Sequence, residues 1–369
     1  MSGDILSRRA LNRATLARQL LLERTDRPIL DTVEHLVGLQ AQEPPNPYLA
    51  LWSRLVRFDP EQLARLLATR EVVRIVVMRG TIHLVTAADA LLLRLLMQPV
   101  LEAELSRHRD FGPPLRGVDL TVVLDAACAV LAERPHTGAQ LRAALGERFP
   151  DLDPAALAYA CRCLLPLVQV PPRGLWRQSG QVALTTTDAW LGAPLVAAPS
   201  IDDVVLRYLA AFGPATPGDV AAWSRLTGFR EIIDRLRPRL RPFRDERGRE
   251  LFDLPDAPRP DPATPAPPRF LPEYDNVLLS HADRTRMVSE EHRSWLFDTP
   301  APVHGSVLHD GILAGTWSID RDDRAVLVIR PVVTLSKRAT AALEAEGRRM
   351  LRFLEPDVDE REVRTDPIV

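Results

Sequence analysis

Gln40 and Gln42 flank a single alanine and precede Glu43-Pro44-Pro45, a pair whose types and spacing could do chemistry although the tripeptide alone is a poor motif. A glutamine offers a carbonyl acceptor and an amide donor and carries no charge. Two of them at i and i+2 can grip one water and direct its lone pair at an electrophile. That is a weak base, sufficient only where the leaving group is already activated. The plain alternative is a cap or surface feature at the end of a helix. Glu43 is adjacent as a second candidate acid or base. His83, between Ile82 and Leu84, reads equally as a structural hydrogen-bonder or a contact to DNA. His281-Ala282-Asp283-Arg284 holds types that could orient one another, with a buried salt-bridged turn as the preferred reading.

Arginine is the second signal. Arg235, Arg237, Arg239, Arg241, Arg244, Arg247 and Arg249 crowd one short stretch. Neutralising phosphates requires such clustering whatever the net charge. The alternative is a solvated face balanced by Glu231, Asp234, Asp245, Glu246 and Glu250. Arg8, Arg9 and Arg13 form a weaker patch. Arg321 and Arg324 flank Asp322-Asp323 at an expected hairpin tip, where the acids would repel phosphate. The whole chain has a formal net charge of -2, which argues against simple coating of DNA.

Composition removes other chemistries. Lys337 is the only lysine, so an amine nucleophile has one candidate and no motif around it. Cys128, Cys161 and Cys163 sit in Ala/Leu-rich stretches and read as small buried hydrophobes without the partners of a zinc site. No Ser/His/Asp signature, phosphate loop or metal cluster appears, so neither metal nor cofactor is expected. With 369 residues, 46% hydrophobic and 26% charged, the chain suits two or three globular domains. It has no apolar run of about 18 residues and no apolar signal core over residues 1–9, so a cytoplasmic protein away from membranes is expected. No extended heptad segment appears, and a monomer is expected.

The elements that must position these residues repeat as a pattern. Residues 120–134 read as a helix. Thr137 and Gln140 form a capping box opening a helix over 139–148, and Asp153-Pro154 opens a third to about residue 168. Residues 175–184 read as two short strands around Ser179-Gly180. Helix, helix, helix, hairpin is the winged-helix order. Residues 201–212, 216–225 and 228–237 repeat it, with a hairpin over 241–252 turning at Arg247-Gly248. A more divergent first unit has helices over 13–23, 31–39, 46–57 and 60–69 and a hairpin over 72–86 turning at Arg79-Gly80. Residues 255–268, rich in proline, read as a linker. Strands are expected at 276–280, 305–309, 311–319 and 325–333, with Asp310-Gly311 as a turn, and Ser336 caps a last helix. The expected fold is α+β. Three tandem winged-helix units (1–110, 118–190 and 200–257) form a concave DNA-binding surface, and a mostly β region closed by a helix follows (269–369).

Three stretches carry a family resemblance: Leu36-Val37-Gly38-Leu39-Gln40-Ala41-Gln42, Met78-Arg79-Gly80-Thr81-Ile82-His83-Leu84-Val85, and Leu279-Ser280-His281-Ala282-Asp283-Arg284-Thr285-Arg286. In this order and spacing they resemble the AlkZ family of winged-helix DNA glycosylases over nearly the whole chain. The resemblance implies catalytic roles for Gln40 and Gln42. It also implies excision of bulky N7-alkylguanine adducts or unhooking of interstrand crosslinks, and duplex DNA carrying alkylated bases as partner. A housekeeping branch carries Gln-x-Asp, whereas this chain has glutamine at both places. Candidate DNA contacts are Arg79, His83, Arg241, Arg244, Arg247, Arg284, Arg321 and Arg324. Hydrolysis by water without a lyase step is expected. The alternative is a non-catalytic winged-helix DNA-binding regulator.

Overall fold

Side-chain caps set where many of the helices begin. In the computed structural model, which describes residues 4–292, 304–322 and 324–368, Thr137 and Gln140 exchange the reciprocal bonds of a capping box and open Gly138–Arg148. Thr216 and Asp219 do the same for Pro217–Ser224. Asp153 caps Pro154–Leu164, and Ser336 caps Lys337–Leu354. Each cap satisfies backbone donors that have no partner within the helix. Ser7 starts the first helix at Arg8–Arg18, five residues before the expected start.

The helix-then-hairpin order is visible with shifted boundaries. Arg8–Arg18, Ile29–His35, Asn46–Arg54 and Pro60–Ala68 precede a hairpin of Val72–Val76 and Ile82–Thr86. Two helices that the sequence reading passed over, Ala87–Leu96 and Gln98–Arg107, follow it. Leu120–Glu133, Gly138–Arg148 and Pro154–Leu164 precede strands Leu167–Gln169 and Ala183–Thr186. The hairpin expected at 175–184 is therefore displaced. Its first strand is the buried Leu167-Val168-Gln169 run, which the apolar pattern had assigned to the preceding helix. Ile201–Phe212, Pro217–Ser224 and Phe229–Leu236 precede the antiparallel pair Arg241–Asp245 and Glu250–Asp253.

The first two hairpins share one sheet. Its six strands run Leu39–Gln40, Ile82–Thr86, Val72–Val76, Leu167–Gln169, Ala183–Thr186 and His136–Thr137, every neighbour antiparallel. A continuous core joins Ile75, Val85 and Val168 to Tyr208, Phe212 and Trp223. Arg18 reaches Asp253 with paired bonds of 2.6 and 2.8 Å, both side chains fully buried, and so locks the first helix to the third hairpin. The proline-rich stretch is docked against that helix: Arg13 Nε donates to the Thr264 carbonyl and Arg9 Nε to that of Pro262, each at 2.6 Å.

The C-terminal sheet has five strands in the order Arg269–Leu271, Gly305–His309, Ile312–Arg321, Ala325–Pro331 and Arg361–Thr365. The helix Lys337–Leu354 packs Leu343, Met350 and Leu351 on Phe270, Leu327 and Ile329, and Leu49 and Trp52 join from the helix Asn46–Arg54. The Asp310-Gly311 turn forms as expected, both residues at positive φ. Residues 276–280, expected as a strand, instead hold a short helix, Asn276–Leu279, because the Asp275 carboxylate accepts from the Val277 amide and starts a turn. Cys161 and Cys163 are buried in the core, and burial pushes their thiols up to about 12 and 11. Among the described residues no helix is long and apolar enough to cross a membrane.

Candidate active site

A tight turn delivers the glutamines. The helix Ile29–His35 ends at Leu36, and Val37 and Gly38 take φ of 54° and 92°. A side chain at Gly38 would strike Val85 Cγ1 at 2.6 Å, so glycine is required where the chain passes the sheet. Leu39–Gln40 is thus an edge strand rather than the end of a helix, with Gln40 opposite His83. The Ala41 amide donates to the Ile82 carbonyl at 2.8 Å. The Ala41 carbonyl accepts from Arg74 Nη2 at 2.9 Å. The centre of the motif is clamped from both sides. Gln40 is nearly buried, whereas Gln42 and Glu43 are exposed.

Arg79 organises the buried side. It holds φ of 60°, which turns its guanidinium inward. Nη2 donates to Gln40 Oε1 at 2.6 Å and to Asn276 Oδ1 at 2.9 Å, with His83 Nε2 at 3.3 Å, and Nη1 donates to the Trp223 carbonyl at 3.1 Å. Arginine only donates, so Gln40 must turn its carbonyl inward and present its Nε2 amide outward. Asn276 Nδ2 donates to the Gly38 carbonyl at 3.1 Å, which fixes that amide as well. His83 is fully buried, and its Nδ1–H donates to the Thr81 carbonyl. Burial, then the Arg79 charge, pushes its pKa down to about 3. His83 is a neutral acceptor behind Gln40, and burial removes it from any surface DNA could reach. Arg79 itself drops to about 10, through burial and then the nearby Arg225 and Arg284.

A second arm lines the exposed side. Asn46 Nδ2 donates to the Glu273 carbonyl at 2.9 Å. Arg54 and Asp275, both buried, pair through bonds of 2.8 and 2.9 Å. Residues 272–276 are therefore pinned against both flanks of the glutamine loop. A pocket of about 330 Å³ opens beside it, lined among others by Glu43, Asn46, Glu273, Trp317 and Arg321. Asn276 and this arm escaped the sequence reading. The Glu273-Tyr274-Asp275-Asn276 polar run just ahead of the third motif was the signal.

The remaining predicted contacts are dispersed and paired. Arg241 bonds Asp4 at 2.8 Å, Arg244 bonds the Gly248 carbonyl at 2.8 Å, and Arg247 bonds Glu290 at 2.6 Å. Arg235 and Arg237 pair with Asp202 and Glu250. Around this hairpin the cations are held by carboxylates from Asp4, Asp202, Glu250 and Glu290, only one of which the sequence reading had named as balancing them. Arg321 and Arg324 pair with Glu355 and Glu362, each at 2.7 Å; Asp323 lies outside the described residues. Arg284, half-buried, is the predicted contact whose charge acts on Arg79. In the third motif His281 donates to the Phe212 carbonyl at 3.0 Å, and Asp219 accepts from the Ala282 amide at 2.9 Å. Burial, then Arg286, takes His281 to about 3. This is a buried joint between the helices Ile201–Phe212 and Pro217–Ser224 and the C-terminal region. No cluster of three or more potential metal ligands occurs among the described residues.

Fold and geometry together define a mixed α+β protein whose candidate site sets two amides, Gln40 and Asn276, around the buried Arg79. Its fold matches the solved structure of Streptomyces sahachiroi DNA glycosylase AlkZ, with a TM-score of 0.79 over 98% of this chain and 100% of that chain, at 22% identity. It is 26% identical over 366 residues to an interstrand DNA cross-link repair glycosylase from Streptomyces sahachiroi, covering 91% of this chain and 94% of that protein. The family model for AlkZ-like DNA glycosylases matches residues 33–353, from the turn that delivers Gln40 to the last helix. The chain belongs to the AlkZ-like DNA glycosylase family.

Proposed function

We propose that this protein is a monofunctional DNA glycosylase that hydrolyses the N-glycosidic bond of cationic N7-alkylguanine in duplex DNA. The observation that carries the proposal is the 2.6 Å bond from Arg79 to Gln40 Oε1, which gives the two glutamines different tasks. Gln40 donates from Nε2 to the oxygen of a water. Gln42 accepts one of its protons through Oε1. The water's second lone pair then faces C1′. Attack forms the C1′–O bond as the C1′–N9 bond breaks, and the bonding pair returns to the purine, which leaves as a neutral base. The water's proton passes through Gln42 to solvent. Alkylation at N7 has already weakened the bond, so positioning suffices without a strong base. Neutral guanine lacks that activation and is spared.

The helix-then-hairpin series fits three winged-helix units, over about 1–110, 118–190 and 200–257, laid along a concave duplex-binding face. Arg284 and Arg225, beside Arg79, are the phosphate contacts we favour. Arg241, Arg247, Arg321 and Arg324 are held by carboxylates, and Arg244 by the Gly248 carbonyl. The relative's cross-link repair name extends the substrate range we propose to bulky adducts and interstrand crosslinks. With Lys337 exposed on the last helix as the one lysine, no lyase step is proposed. The test is incubation with duplex DNA carrying N7-methylguanine, followed by alkali. Strand cleavage at the lesion supports the proposal. Background cleavage on both this and a bulkier N7 adduct would sink it.

A further inference from the structure

Tyr274 is the most exposed phenylalanine, tyrosine or tryptophan among the described residues, at 37%. Its backbone sits at φ of 59°, a left-handed conformation that disfavours a residue with a Cβ. It does not relax, because both neighbours are tied down. Before it, the Glu273 carbonyl accepts from Asn46. After it, Asp275 is locked to Arg54, and Asn276 bonds Gly38 and Arg79. Gly38 and Asn46 bracket Gln40 and Gln42 in the chain, so these ties hold residue 274 on the arm that runs beside the glutamine loop. Strain at a surface aromatic next to a reactive site is a pattern of function rather than of packing.

We propose that Tyr274 is the stacking contact for the lesion base, and that the ligand of this platform is a planar, cationic purine. This rests on the glycosylase reading above. Enzymes that act on an extruded base commonly hold it against an aromatic face. Here the face is electron-rich and flanked by Glu273 and Glu43, whose carboxylates favour a cation over a neutral base. Burial, and then Glu43, raises the Glu273 carboxyl above its usual value, so a cation entering beside the two acids relieves their repulsion. Burial followed by Glu273 and Glu43 raises the Tyr274 phenol, which stays neutral. The alkylated base thus meets attraction where it is charged and stacking where it is flat.

Single-turnover excision of N7-methylguanine from a duplex by the full chain tests the assignment, with affinity for undamaged duplex and thermal melting measured beside it. Tyr274→Ala and Tyr274→Gly should slow excision about 10- to 100-fold, the usual worth of one base–aromatic stack. Tyr274→Phe and Tyr274→Trp should restore it. Tyr274→Gly removes the ring and the backbone strain together, so its melting temperature stays near the parent's while its excision falls. Undamaged-duplex affinity stays constant throughout. Parental rates in Tyr274→Ala, or phenylalanine and tryptophan variants as slow as alanine, would overturn this assignment and leave the glycosylase reading standing. A parent that does not excise overturns both.

Discussion

The glutamine loop and the arginine-rich hairpin at 241–253 handle charge in opposite ways. The hairpin has the density of cations that suggests DNA binding in a sequence, yet Arg241, Arg247 and Arg249 close on Asp4, Glu290, Asp245 and Asp283, and Arg237 just ahead of it closes on Glu250. Exposed pairs of this kind contribute about 0–1 kcal/mol each. At the loop Arg79 is withdrawn into the interior, pairs with no carboxylate among the described residues and spends its donors on neutral acceptors. The hairpin's cations neutralise one another's surroundings. The buried one orients an amide. Abundance of a residue type therefore says less about chemistry than the partners each copy keeps.

Removing the loop's own side chains gives the largest expected effect. Gln40→Ala and Gln42→Ala should each slow excision about 10²- to 10⁴-fold, as for a lost positioning group, with duplex affinity unchanged in a filter-binding titration. Full activity in the double variant would remove these residues from catalysis. Next comes Arg79→Lys, which keeps the charge but not the fork. We expect excision to fall towards that of Gln40→Ala, together with a loss of about 1–3 kcal/mol in denaturant melts as buried acceptors lose a donor. A variant that melts lower but excises at the parental rate would make Arg79 purely structural.

Buried histidine sharpens the comparison through pH. Unfolded chain takes a proton at His83 near 6.5, which the folded chain refuses until about pH 3. The unfolded state therefore binds more protons across that window, and stability falls as pH drops from 6.5 towards 3. The slope from this group is about 1.4 kcal/mol per pH unit. His83→Gln should make the dependence shallower by that amount. An unchanged slope would mean that His83 already charges in the fold.

The smallest effects belong to the surface cations. Arg284→Gln should weaken duplex binding evenly across sequences and reduce the salt slope by about 1. Arg241→Gln with Arg244→Gln should leave excision unaltered and shift stability by about 1 kcal/mol or less. A large loss of excision there would reverse the ranking of the two regions.

What was legible in the sequence follows the range of the interactions. Capping boxes at Thr137 and Thr216, the Asp310-Gly311 turn and the last helix depend on residues within a few positions, and the fold contains them. The strand Leu167–Gln169 was misread because one of its two partners, Val72–Val76, lies far back in the chain, and an apolar run alone suits a helix or a strand equally. Gln40 and Gln42 gained their reading from the two distant stretches that accompany them, since the tripeptide alone suits a helix cap. The inward turn of Arg79 was not legible, since its partners Gln40, Trp223 and Asn276 lie 39, 144 and 197 positions away. Nothing local distinguishes that arginine from the others.

The most direct test of the unequal glutamines is single-turnover excision of N7-methylguanine by Gln40→Glu and Gln42→Glu. A carboxylate at 40 still accepts from Arg79 but has no donor for the water. At 42 it keeps the acceptor. We expect Gln40→Glu to be as slow as Gln40→Ala, and Gln42→Glu to retain most of the parental rate. An active Gln40→Glu alongside an inactive Gln42→Glu would contradict the assignment of donor and acceptor.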